Sequence, residues 1–170
     1  MHIVHVAAEL APLAKVGGLA DVTFGLASEL AKKHQVEVIL PYYDMIKLTG
    51  LKETAQFSCR EGSSLYKNKV YTANYAGFTL KLIDPIHPQN YFHKKNIYGY
   101  KQDVNRFLYF CRAVLEYIRQ QNEPIDVLHL HDWHTAAIAP LCREAFQDIS
   151  PLVKSIILTI HNLSYQGHCS

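Results

Sequence analysis

The sequence predicts a doubly wound α/β domain built on a mostly parallel, Rossmann-like sheet. Three observations carry that expectation. A short apolar run rich in β-branched residues, Ile3 to Ala8, is followed by a helical stripe and then a second apolar run, Val36 to Leu40, stopped by Pro41. A near-continuous apolar stretch, Ser155 to Ile160, has the pattern of a strand buried on both faces of a parallel sheet. Clusters of polar residues directly follow three of the expected strands, and open α/β sheets bind their ligands beyond the carboxyl ends of strands.

The elements follow in chain order. Ile3 to Ala8 reads as a buried first strand. Leu19, Val22, Leu26, Ala27 and Leu30 recur at helical spacing and mark one apolar face, which ends near Lys32 and Lys33, where cations suit the helix dipole. Val36 to Leu40 is the second strand, so the opening is a βαβ unit with the usual right-handed crossover. Thr54 to Cys59, Lys69 to Tyr75 and Phe78 to Ile83 read as short strands turned by Gly62 and by Ala76-Gly77, an antiparallel or mixed extension of the sheet. Pro85 to Tyr100, rich in Pro, Asn, Tyr and His, reads as an ordered loop. Val104, Phe107, Leu108, Cys111, Leu115 and Ile118 form a helical stripe, with Asp103 near its start and Pro124 beyond its end. Asp126 to His131 is a strand, Thr135 to Phe146 a helix that Pro140 should kink or interrupt, and Ser155 to Ile160 the last strand.

Composition narrows the function classes. The chain has 170 residues, 49% hydrophobic and 11% aromatic, enough for one domain with a real core. The net charge of +2, with no basic block or acidic tail, excludes the usual signature of a nucleic-acid partner. Cys59, Cys111, Cys142 and Cys169 form no C-x-x-C pair and fit no zinc ribbon, so free thiols in a reducing cytosol are expected. Ile3 to Leu13 is mostly apolar, but no basic segment precedes it and Glu9 interrupts it, unlike a signal peptide. No stretch approaches the roughly 20 apolar residues of a membrane span. A soluble, cytoplasmic protein is expected.

Three clusters could carry chemistry. The first is Lys15-Val16-Gly17-Gly18-Leu19-Ala20-Asp21, between the first strand and the first helix. Glycines allow close approach of backbone to ligand, the helix N-terminus presents unpartnered N–H groups, and Lys15 adds a full charge, so a diphosphate is the ligand class. The run is neither a Walker A loop nor a G-x-G-x-x-G fingerprint, and a K-x-G-G alone also occurs as a plain turn. Asp21 suits the dipole of the first turn whether or not it meets a ligand.

The second cluster is His129-Leu130-His131-Asp132-Trp133-His134. It approaches the H-x-H-x-D-H of metal-dependent hydrolases, but its aspartate stands one position early and no distant histidine or acidic partner is evident. A metal site on His129, His131, Asp132 and His134 stands as one reading, beside packing of His129 within the sheet and of Trp133 in the core. The third cluster is His161-Asn162 with Tyr165-Gln166-Gly167. A neutral imidazole both donates and accepts, which suits a sugar hydroxyl, although a His-Asn pair also caps loops.

Four segments in order, H-V-A-A-E-L-A-P-L-A-K-V-G-G-L-A-D-V, N-I-Y-G-Y, V-L-H-L-H-D-W-H-T-A and T-I-H-N-L-S-Y-Q-G, cover the whole chain. Jointly they resemble the bacterial glycogen synthase and starch synthase family, glycosyltransferase family 5. The resemblance implies a GT-B fold, of which these residues would be the N-terminal, acceptor-side half. It implies transfer of glucose from a nucleotide sugar, usually ADP-glucose, to the non-reducing end of an α-1,4-glucan with retention. ADP-glucose would be a substrate, and neither a cofactor nor a metal is implied. By resemblance Lys15, Gly17, Gly18 and Asn162 face the donor, with Lys15 stabilising charge on the departing diphosphate. Asp21, Tyr98, Asp132 and His161 line the sugar pocket, and His161, Lys15 and Asp132 are the catalytic candidates. The 170 residues end at His168-Cys169-Ser170, inside a motif region. The resemblance therefore places a second Rossmann-like domain, with most of the nucleotide site and an E-x7-E segment, outside them. A glucan- or sugar-phosphate-binding fragment without turnover stands beside the transferase reading.

Overall fold

A computed structural model, which describes residues 1–167, places seven strands in one sheet. His168, Cys169 and Ser170, and with them the expected thiol of Cys169, lie outside the described residues. The strands are β1 (His2–Val6), β2 (Gln35–Pro41), β3 (Lys52–Glu61), β4 (Ser64–Tyr75), β5 (Phe78–Pro85), β6 (Ile125–His131) and β7 (Val153–Thr159), in the spatial order β3-β4-β5-β2-β1-β6-β7. β1 lies parallel between β2 and β6, with Val4 opposite both Glu37 and Leu128. β5 and β7 extend the parallel part on either side, and β4 and β3 add an antiparallel meander.

The meander is built by its turns. Gly62 has φ +57° in the two-residue loop between Glu61 and Ser64. Ala76 (φ 48°) and Gly77 (φ 91°) join Tyr75 to Phe78 with both central residues left-handed, the turn whose twist matches antiparallel strands.

Helix α1 (Gly18–Ala31) packs through Leu19, Ala20, Thr23 and Ala27. The face read from sequence is therefore shifted: Val22 is exposed and Leu26 only half-buried. The inner face is small rather than bulky, and the Thr23 hydroxyl is satisfied by donating to the Leu19 carbonyl at 2.9 Å. Helix α2 (Asp103–Gln121) buries Phe107, Phe110, Cys111, Val114, Leu115 and Ile118, but leaves Leu108 exposed. Asn122 closes it in the left-handed conformation, with φ 53° and its N–H on Ile118.

The helix expected from Thr135 to Phe146 is interrupted, as its Pro140 suggested, into α3 (Trp133–Ala136), α4 (Ile138–Pro140) and one π turn, Leu141–Ala145. Pro140 has no N–H to give the preceding turn, and the wider turn closes with Phe146 N–H on the Leu141 carbonyl at 2.9 Å. β7 is not buried on both faces among the described residues. It is an edge strand, and Ile157 and Leu158 are exposed.

The loop after β5 is ordered, as expected. Tyr91, Phe92 and Ile97 are buried in it, and the fully buried Arg106 of α2 donates to the carbonyls of Tyr91 and Ile97. Cys59, Cys111 and Cys142 are buried free thiols. No helix among the described residues is long and apolar enough to cross a membrane.

Candidate functional site

The carboxyl ends of β1, β6 and β7 open into one cleft of about 830 Å³. Its lining comes from all three clusters singled out in the sequence, together with the loop that carries Tyr98.

Glu9, just beyond β1, is the residue that organises this cleft, and sequence reasoning missed it. Its carboxylate is buried and accepts the N–H groups of Val16 at 2.6 Å and Gly17 at 2.9 Å, while its other oxygen accepts the Tyr98 hydroxyl at 2.8 Å. One side chain thus ties the glycine loop to the Tyr98 loop. The signal was available: a lone carboxylate in an apolar run must be paired if it is buried. We expect Glu9→Gln to lower stability by roughly 2 kcal/mol, because its amide nitrogen cannot accept from these donors. Urea unfolding reads this, and an unchanged midpoint would show that the carboxylate does not brace the loops.

Gly17 and Gly18 line the cleft, whereas Lys15 and Asp21 do not. The Lys15 ammonium donates to Asp21 at 2.7 Å on the rim, and both side chains are about half exposed (47% and 55%). Lys15 borders a neighbouring groove instead. Gly17 is extended, with φ −140°, and a Cβ built on Gly17 or Gly18 meets nothing within 4 Å. Neither backbone strain nor packing within the chain requires glycine here. What the glycines leave is open space over the first N–H groups of α1.

Tyr98 lines the cleft with its hydroxyl committed to Glu9 and its ring stacked on His134, centroids 4.8 Å apart. Burial and the Glu9 carboxylate push its pKa far above the ordinary tyrosine value. Trp133, expected in the core, is half-buried and lines the cleft, edge-on to Phe107. Gly167 lies against it: a Cβ there would overlap the indole ring.

Asp132 sits in the cleft wall with φ 65° and ψ −178°, a backbone conformation that a non-glycine residue holds only where its surroundings impose it. Its N–H donates to the Thr159 carbonyl at 2.8 Å, and its carboxylate accepts from Trp133 N–H at 2.9 Å. Asn162 caps its own loop, accepting from Ser164 N–H at 2.9 Å.

The histidines arrange themselves differently from the metal reading. His134 turns its ring onto Tyr98 and Phe107, and Asp132 faces Trp133 N–H, so His129, His131, Asp132 and His134 are not gathered around one point. The ring nitrogens of His5, His129 and His131 do lie within 4.8 Å of one another. His5, directly opposite His129 on β1, is the distant partner that was not evident in the sequence. These three are the one group among the described residues that could ligate a metal ion. Hydrogen bonds link two of them into a row with His161: Nδ1 of His5 lies 3.1 Å from Nε2 of His131 and Nδ1 of His131 lies 3.0 Å from Nε2 of His161, while Nε2 of His129 lies 2.7 Å from the Thr159 hydroxyl. Burial pushes His5 down to about 4, His131 to about 2 and His134 to about 3, and lowers His129 as well, so these rings are uncharged at neutral pH.

A family model described as the starch synthase catalytic domain matches residues 2–170. The chain is 40% identical to the glycogen synthase of Protochlamydia amoebophila over all of its own length and 35% of that protein's. It is also 40% identical to the probable starch synthase 4 of Arabidopsis thaliana, covering 17% of that protein. The catalytic domain of starch synthase IV from A. thaliana, bound to ADP and acarbose, superposes with a TM-score of 0.92 at 40% identity, over 99% of this chain and 35% of that one. A sucrose-phosphate synthase from Thermosynechococcus elongatus, 14% identical with a TM-score of 0.54, shares the fold. The chain spans about a third or less of the length of these relatives.

Proposed function

The chain belongs to the starch synthase catalytic-domain family, and on that premise we propose that its 170 residues form the N-terminal, acceptor-side portion of a synthase with the GT-B fold. That synthase transfers glucose from ADP-glucose to the non-reducing end of an α-1,4-glucan, with retention. The observation that carries this reading is the single cleft that unites the glycine loop, Tyr98, Asp132, His161 and Asn162. The ADP and acarbose held by the A. thaliana catalytic domain support both the donor and the glucan.

In this reading Gly17 and Gly18 leave room for the donor diphosphate at the helix N-terminus. Lys15 turns from Asp21 to the diphosphate and stabilises the charge of the leaving group. The exposed Lys15–Asp21 pair is worth about 0–1 kcal/mol, so a phosphate can take the ammonium at little cost, and Asp21 is freed for the sugar. Tyr98, Asp132 and His161 line the sugar pocket, Asn162 adds an amide near the donor, and Lys15, Asp132 and His161 touch the reacting groups. The buried thiols suit a reducing compartment, the cytoplasm. A second Rossmann-like domain supplies the opposite wall, which must close to exclude water.

The 170 residues alone are therefore expected to incorporate no glucose into glycogen from ADP-glucose, and incorporation would overturn the need for a second wall. Maltoheptaose at millimolar concentration is expected to shift the amide resonances of Tyr98, Asp132 and His161. A spectrum unmoved at the cleft would refute the glucan site. For the loop we expect Gly17→Val to leave stability within about 0.5 kcal/mol while abolishing ADP-glucose binding. Calorimetry showing equal affinity would remove the loop from the donor site.

A further inference from the structure

His5, His131 and His161 form a row of three imidazoles running from the buried centre of the sheet to the cleft, joined by contacts of 3.1 and 3.0 Å. The inner end, Nε2 of His5, is buried and has no hydrogen-bond partner among the described residues. The outer end is His161 in the cleft wall. Because Nε2 of His161 is taken by His131, the nitrogen left for a ligand is Nδ1.

Proton counting allows only two states. Each neutral ring carries one N–H, and each contact needs one proton. If His131 is protonated on Nε2, it donates to His5, its bare Nδ1 must receive from Nε2–H of His161, and His5 must carry its own proton on Nε2. If His131 is protonated on Nδ1, it donates to His161, while Nδ1–H of His5 donates to His131. The three rings are therefore all Nε2–H or all Nδ1–H, and no ring changes tautomer alone. His5 and His131 are fully buried, which disfavours a second proton on either ring.

The inner end decides between the two states. The all-Nε2 state buries an N–H on His5 with no acceptor among the described residues, and the large majority of buried side-chain polar atoms are paired. The all-Nδ1 state leaves only a bare ring nitrogen there. We propose that His5 and His131 are positioning residues that lock His161 in its Nδ1–H tautomer, so that the cleft always meets an N–H donor at this point. In other enzymes, setting a histidine in the wrong tautomer costs about 10⁴ in kcat. The donor's use on a sugar hydroxyl rests on the function proposed above, whereas the lock does not.

The test reads the tautomers directly in the ligand-free chain, by long-range proton–nitrogen correlation spectra of nitrogen-15 histidine at neutral pH. All three rings are expected as Nδ1–H, the form that water disfavours for a free imidazole, a pattern that independent histidines would not give. An Nε2–H form, or an averaged signal, at any of the three overturns the lock. In His131→Leu, His161 loses its inner partner and is expected to revert to Nε2–H, and retention of Nδ1–H there also overturns the lock. Should that variant not fold, the wild-type spectrum still decides. Adding maltoheptaose afterwards separates the two ideas. A shifted His161 ring supports the sugar site, and an unmoved one counts against that site alone, because the ligand-free pattern has already judged the lock.

Discussion

Acidification from pH 6.5 to pH 5 is expected to remove about 5 kcal/mol of folding stability, a large share of what a folded domain possesses. The cause is three buried rings, His5, His131 and His134, whose folded-state pKa values stand at about 4, 2 and 3. Their unfolded value is about 6.5. Below 6.5 the unfolded chain takes up a proton that the folded chain does not, so the slope rises from about 0.7 to about 1.4 kcal/mol per pH unit and ring, a loss of about 1.6 kcal/mol each by pH 5. His2 and His93 act in the opposite sense. The Glu37 carboxylate 3.4 Å from His2, and hydrogen bonds from His93 to Asp44 and Asp84, raise their pKa values, so the stability they contribute is fully present below 6.5 and is lost only as pH rises above it. They cannot offset the loss in the acid window. Urea midpoints measured every half pH unit should fall steeply from 6.5 to 5. A flat profile would mean that the rings are solvated.

Arg106→Met should cost about 3–5 kcal/mol, the usual effect of removing one partner from a buried charged network. The guanidinium is fully buried, its Nε donates to Asp103 at 2.9 Å, and its other nitrogens hold the carbonyls of Tyr91 and Ile97. Phe92 and Phe107 pack their rings against it. Methionine fills the space of the stem but leaves Oδ1 of Asp103 and two carbonyls without the donor that Arg106 gave them. Asp103 also accepts the N–H groups of Gly99 and Tyr100. The damage should therefore reach Tyr98 and, through its hydroxyl, Glu9. Arg106→Lys should recover only part, because an ammonium cannot present the planar fork. Urea unfolding gives the magnitude, and limited proteolysis should cut first between Pro85 and Tyr100. A loss below about 1 kcal/mol would show that the loop is held by its own aromatic packing instead.

Much of this was legible in the sequence for a local reason: strand runs, turn glycines and helical stripes are signals between near neighbours. The hairpins at Gly62 and Ala76-Gly77, the break at Pro140 and the three clusters at strand ends follow from such signals. What was not legible depends on pairing across the sheet. Glu9 meets Tyr98 and His5 meets His131 across separations of 89 and 126 residues, and no spacing rule reports that. The inner face of α1 was misread because alanine and threonine carry it, and the lining of β7 because burial needs a neighbour as well as an apolar side chain.

The place of β1 between β2 and β6 has a consequence for synthesis. The strand is synthesised well before one of its two partners, which lies 124 residues later, as the bond from His2 to Asp126 shows. At about 5–20 residues per second, the central edge waits roughly 6–25 s for its mate. Through that interval an apolar parallel edge stands open to chaperones or to other nascent chains. The yield of native protein should then depend on translation speed and on temperature more than the final stability alone would suggest.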